Sequence, residues 1–218
     1  MKKIKVWDGG VRLFHWMLAA LFCLSAYSAF QDKFGVYADI HFYAGFSLLI
    51  LVSWRILWGI FGSDTARFSH FVRGPGATIS YLSSMLKARD YKAVGHNPVG
   101  ALSVVLILAL LLVQAIFGLY STDDMFFSGP LANSVGSGLS GDLTGWHKIF
   151  GKILIGVAVL HVLVVLWYQI ARKVNLIKPM ITGSKTVEDG TPAPRMRPGW
   201  VSVILLLGAG AGVCLMVF

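Results

Sequence analysis

Five stretches of the chain run nearly free of charge for about the ~20 residues that cross a hydrocarbon core: 11–30, 40–61, 98–120, 146–170 and 199–218. The pattern predicts five membrane-crossing helices. Asp8 stands where its carboxylate caps the start of the first, and Pro98 suits the first turn of the third. Between the second and third spans the pattern predicts a short surface helix around 76–90. The stretch 121–145 is rich in Gly and Ser and reads as a loop draped over one face. A linker with Pro192, Pro194 and Pro198 precedes the fifth span, and no internal repeat is visible. A cleavable signal peptide is the competing reading of the first segment, with Ala26-Tyr27-Ser28 as a small-residue site. Against it, Arg12 and His15 sit where a signal peptide is plainly apolar.

Composition agrees with the pattern. Hydrophobic residues make up 56% and charged residues 13%, where a soluble domain carries about 25% charge. This excludes an ordinary water-soluble domain and a disordered chain. The net charge of +9 would suit a nucleic-acid partner, but its placement says otherwise. The basic residues gather at the N-terminus (Lys2, Lys3, Lys5, Arg12), in 62–97 (Arg67, Arg73, Lys87, Arg89, Lys92) and in 171–198 (Arg172, Lys173, Lys178, Lys185, Arg195, Arg197). The stretches 31–40 and 121–146 hold Asp32, Asp39, Asp123, Asp124 and Asp142 against Lys33 alone. Alternating basic and acidic loops are a topology signal. They predict a cytoplasmic N-terminus, a C-terminus outside, and no nucleic-acid partner. The two cysteines, Cys23 and Cys214, lie in apolar segments without a CxxC pair. That excludes a zinc knuckle, a thioredoxin-type dithiol and covalent c-type haem attachment.

Ionisable residues inside spans are costly and mark function by default. Here they are Arg12, His15, His41, Arg55, His147, Lys148, Lys152 and His161. His147 and His161 are 14 residues apart, which is about 21 Å in depth and within about 40° of the same helix face. With the predicted topology, His15 and His161 share the inner leaflet, and His41 and His147 share the outer. Two trans imidazoles on one metal need ligand nitrogens roughly 4 Å apart. The level pairs satisfy this; crossed pairs, separated by roughly 20 Å in depth, do not. Two protein ligands are too few for zinc but suit haem, whose macrocycle fills four positions. The reading is two b-type haems at two depths, both suited to outer-sphere electron transfer.

Other residues refine this picture. Ala19, Gly45 and Gly151 follow His15, His41 and His147 by four positions, on the same helix face. They either leave room for a flat porphyrin or let helices approach closely. Arg55 and Arg12 either pair with a propionate of the inner haem or snorkel to the interface. His70 and His96 read as interface residues, and Gln114 as a mid-span group bonding a neighbouring helix. Trp16 and Trp146 adjoin two of the ligand histidines, while the remaining Trp residues suit interfacial belts.

At this point the chain resembles the bacterial cytochrome b561 family, which includes the di-haem cytochrome b subunits of membrane-bound nickel-iron hydrogenases. The resemblance rests on Arg12-Leu13-Phe14-His15-Trp16, His41-Phe42-Tyr43-Ala44-Gly45, Trp54-Arg55-Ile56-Leu57-Trp58-Gly59, Gly95-His96-Asn97-Pro98, Trp146-His147-Lys148-Ile149-Phe150-Gly151, His161, and residues 175–183. It implies a four-helix bundle with two b haems, whose ligands fall on His15, His41, His147 and His161. It also implies electron exchange between the quinone pool and a partner, often periplasmic.

The expected architecture is an all-α membrane protein: a di-haem cytochrome b domain over 1–185, a Pro-rich linker over 186–198, and a fifth helix over 199–218. The four-helix core does not require that last helix, which would dock a partner or a second copy. The expected role is an electron-transfer subunit of the bacterial inner membrane, linking membrane quinone to a hydrogenase small subunit or a c-type cytochrome. Three other readings stand beside it. The first is a stand-alone quinol oxidase acting on a small oxidant such as superoxide. The second is a haem-free transporter using the histidines as a relay. The third is an anchoring subunit whose haems are structural.

Overall fold

The computed structural model describes residues 1–31, 35–86, 94–123 and 127–218. In chain order its elements are β1 (Lys2–Lys5), α1 (Gly9–Ala29), α2 (Val36–Phe61), α3 (Phe68–Phe71), α4 (Pro75–Leu86), α5 (Pro98–Tyr120), α6 (Ser137–Ile170), α7 (Ile177–Thr182), β2 (Ser184–Val187) and α8 (Gly199–Val217). All five predicted spans are helices, α1, α2, α5, α6 and α8, each long and apolar enough to cross a membrane. Their flanks leave large apolar side chains exposed, among them Leu160, Leu163, Ile170, Leu207 and Leu215. That is the surface a lipid-facing helix presents, since tails rather than water cover it.

One boundary differs from the sequence reading. The surface helix is α4; the expected continuation over 87–90 lies outside the described residues, as do Asp32, Lys33, Lys87, Arg89, Lys92 and Asp124. The expected loop over 121–145 is partly helical, because α6 starts at Ser137 rather than near 146. The glycines there disguise a helix that hydroxyl groups tie in place. Ser140 Oγ donates to the Tyr120 carbonyl (2.6 Å), and Thr144 Oγ1 donates to the Thr122 carbonyl (3.1 Å) while accepting from the Thr122 N–H (3.0 Å). The Tyr120 carbonyl at the end of α5, which the helix itself leaves unpaired, thereby gains a partner.

The chain divides into two compact units. The first comprises Met1–Leu13, Arg55–Leu106 and His161–Leu205. Its frame is a two-stranded antiparallel sheet in which β1 pairs with β2, Ile4 opposite Lys185. Ile4, Val6 and Trp7 are buried. The N–H groups of Val6 and Trp7 both donate to the Gly183 carbonyl (2.8 and 3.1 Å). Gly183 ends α7 in the left-handed region (φ 79°), where a side chain is strained. A Cβ there would also meet the Trp7 carbonyl oxygen at 2.9 Å. Asp8 caps α1 as expected, its Oδ1 accepting from the Val11 N–H (2.8 Å) while Oδ2 accepts from the Trp58 indole (3.1 Å). The linker is anchored too, with the Arg195 N–H donating to Asp64 (2.9 Å) and the Arg197 N–H to Ser63 (3.0 Å). Those contacts, the Arg195 N–H first and Arg67 after it, hold the Asp64 carboxyl below the usual carboxylate range.

The second unit comprises Phe14–Trp54, Ile107–Leu160 and Leu206–Phe218. Its core is aliphatic: Leu49 of α2, Leu119 of α5, and Val213 and Val217 of α8. Phe46, Ile50, Leu112 and Ala115 pack against that cluster.

Candidate metal centre

The second unit brings His41 of α2 and His147 of α6 together. Their ring centroids lie 6.0 Å apart with planes at 89°. Two imidazoles on opposite sides of one metal have centroids about 6 Å apart, the sum of two bonds of about 2 Å and two nitrogen-to-centroid distances of about 1 Å.

Each ring is held the same way. His41 Nδ1 lies 2.9 Å from the Ser25 carbonyl, and His147 Nδ1 lies 2.9 Å from the Gln114 carbonyl. A carbonyl only accepts, so in both rings the proton sits on Nδ1 and Nε2 carries the lone pair that could bind a metal; at His147 the Gln114 side-chain amide faces that lone pair, 3.3 Å away. This Nδ1–H to carbonyl bond is the usual way a ligating histidine is oriented and its tautomer fixed.

Local sequence explains how the second carbonyl comes free. Gln114 lies within α5, and its oxygen has a second lone pair beyond the helical bond. The way in is open because the residue one turn on is Gly118. A Cβ at that position would stand 3.0 Å from His147 Cε1 and 3.3 Å from Nδ1. The Gln114 side chain does what the sequence suggests, reaching α6, where its Nε2 lies 3.3 Å from His147 Nε2. It occupies the room beside Gly151, whose Cβ would fall 3.1 Å from that amide. Gly45, one turn after His41, faces open space within 4 Å.

His15 also belongs to the second unit, with its ring 5.0 Å from Trp16 and edge-on to it (88°). His161 belongs to the first unit. Arg55, also in the first unit, is 3% exposed. Its Nη2 donates to the Ala66 carbonyl (3.1 Å), its guanidinium lies over the Phe68 ring (5.1 Å), and Nη1 is buried without a hydrogen-bond partner. Arg12 donates from Nη1 to the Ile181 carbonyl (2.5 Å), and its Nε is likewise buried without a partner.

The two loop histidines part company. His70 lies at the surface, 3.8 Å from Asp64, which also pairs with Arg67. His96 is instead packed among aromatic rings. Its ring is enclosed between Trp7 (4.7 Å) and Phe71 (4.4 Å). Burial, and then the nearby Arg55 charge, push its pKa down to about 3.

Among the described residues no three of His, Cys, Asp and Glu converge on one point. A bare metal ion is therefore poorly served, whereas a metal bringing its own four equatorial ligands needs only the two imidazoles. Sequence reasoning missed Ser25 and Gly118. Ser25 acts through its backbone oxygen, an atom that every residue carries. Gly118 acts through space it leaves empty, which no spacing rule reveals.

A family model described as prokaryotic cytochrome b561 matches residues 6–183 of the chain. No curated protein matches it.

Proposed function

Because the chain belongs to the prokaryotic cytochrome b561 family, we propose that it relays electrons between membrane quinone and a periplasmic redox protein. As a member it is a multi-pass membrane protein that binds b-type haem and transfers electrons. The proposal adds the number of haems, their ligands, the topology and the partners.

His41 and His147 hold one haem, and His15 and His161 hold a second. Haem with both axial positions filled by imidazole supplies one-electron, outer-sphere transfer and offers no open position to oxygen. The chain's own part is orientation and insulation. The carbonyls of Ser25 and Gln114 fix the two rings, and the aliphatic core of the second unit keeps water away. Arg55 and Arg12, each with a buried N–H to spare, supply donors for a propionate. The basic loops lie in the cytoplasm of a bacterium, which places the His41–His147 haem toward the periplasm. There it exchanges electrons with a hydrogenase small subunit or a c-type cytochrome. The quinone site lies toward the cytoplasmic face, where its protons enter.

The observation that carries the reading is the His41–His147 pair, 6.0 Å apart with each Nδ1 committed to a backbone carbonyl. A pyridine haemochrome assay with reduced-minus-oxidised spectra tests it. We expect two b haems per chain, and one after His147→Ala. Purified protein without Soret absorbance, or an undiminished count in that variant, defeats the proposal. Reduction of the bound haem by a quinol analogue tests the donor.

A further inference from the structure

The family match ends at residue 183, yet α8 lies beyond it, and its part from Leu206 onward is built into the second unit. Ala209, Val213 and Val217, spaced four apart along one face, are buried. Gly210 passes Ile50 of α2, with a Cβ there 3.9 Å from the Ile50 side chain. Phe218 packs on Phe46 of α2, ring centroids 5.5 Å apart. Phe46 in turn stacks on Phe42 (6.2 Å, 16°), the neighbour of His41.

The same pattern recurs on α5. Ala115 and Leu119 pack against the cluster that holds Val213 and Val217. The residues just before them, Gln114 and Gly118, are the two that seat His147. Successive helix residues differ by about 100° in direction, so α5 offers one face to α8 and an adjoining face to the imidazole. A packed helix moves as a stiff body. Displacing α5 from its α8 side therefore displaces the Gln114 carbonyl that aims His147.

We infer that α8 is the positioning element of the His41–His147 haem site, buttressing α2 and α5 from behind so that the two imidazoles keep their spacing and tilt. The inference rests on the ligand assignment proposed above. It gives the fifth helix a task inside this chain rather than on a partner. Axial-ligand orientation and the hydrogen bond behind it set haem potential, so the effect appears as a potential and not only as stability.

Two glycines of α8 make the test. Gly210 faces Ile50, while Gly212 has nothing within 4 Å and is exposed. Leucine at either adds the same apolar bulk, but only Gly210→Leu wedges α8 away from α2. The full-length haem-loaded protein is titrated potentiometrically and its low-spin signals recorded by electron paramagnetic resonance. We expect Gly210→Leu to shift the midpoint and signal of one haem, the one that His147→Ala removes, and to lower its retention. Gly212→Leu should match the parent. Should Gly210→Leu fail to assemble, Val217→Ala carries the same expectation with a smaller shift, reversed by Val217→Ile. Parent-like midpoints and signals in whichever of these variants assembles overturn the inference, as does a shift confined to the other haem. A shift that follows Gly212→Leu together with a changed oligomeric mass also overturns it, and makes α8 a contact between copies. If His147→Ala removes no haem, the ligand assignment fails first and the inference with it.

Discussion

In the second unit, two histidines are held by backbone carbonyls among aliphatic side chains. The first unit buries a different set, including Asp8, Arg55 and Ser63, and it leaves N–H or nitrogen atoms of Arg12, Arg55, Arg67 and His96 buried without a hydrogen-bond partner. One set presents lone pairs and the other presents mainly donors. Lone pairs on oriented imidazoles suit a metal, whereas buried guanidinium donors suit oxygen acceptors such as a carboxylate. The two units differ in residue type: imidazoles oriented by backbone carbonyls in one, buried guanidinium groups with N–H to spare in the other.

The largest expected effect falls on the imidazoles. Gly118→Val puts methyl groups where His147 now lies, since even a Cβ there stands 3.0 Å from the ring. Overpacking of this kind costs about 1–3 kcal/mol, and here the ring itself must move. We expect most of the haem tied to His147 to be lost, measured as in the His147→Ala comparison, with the other haem retained.

The next effect falls in the first unit. Asp8→Ala removes the cap of α1 and the partner of the Trp58 indole. The cap is worth about 1 kcal/mol and the indole bond about 1 kcal/mol more. A lowered thermal midpoint with unchanged His147-dependent haem signals is the expected result. A change in those signals would mean that the two sets of interactions are not separable.

The smallest effect is a slope. His96 resists protonation down to about pH 3 in the folded chain, against an ordinary value of 6.5. An unfolded chain takes up that proton first, so acid favours unfolding. The contribution to stability is intact above pH 6.5 and falls, by at most about 1.4 kcal/mol per pH unit, as pH drops below it. Thermal melts between pH 7 and 5 should show this decline, and His96→Phe should flatten it.

The helices were legible because lipid imposes one rule on every residue facing it, and apolar runs record that rule directly. The nearness of His41 and His147 was legible for a related reason, since a helix converts residue number into depth. What the pattern concealed depends on contacts distant in sequence or on atoms common to every residue. The first two turns of α6 look like loop because their glycines carry no apolar signal; the Ser140 and Thr144 hydroxyls that hold them act on carbonyls more than a dozen residues away. The Ser25 and Gln114 groups that orient the ligands are backbone oxygens. His96 read as an interface residue because it lies beside the basic loop; its packing on Trp7 and Phe71, from separate parts of the chain, has no local signal. The pairing of β1 with β2 joins segments that no local window spans.

That pairing has a consequence for assembly. Lys2 meets Val187 across the ladder, so β1 cannot settle until residues 184–187 have been made. Until then the amino-terminal segment and its lysines stay available to insertion machinery, chaperones and proteases. The closing of this clasp ties two distant segments of the first unit together, and protection of Lys2–Lys5 from a protease would time that moment during synthesis.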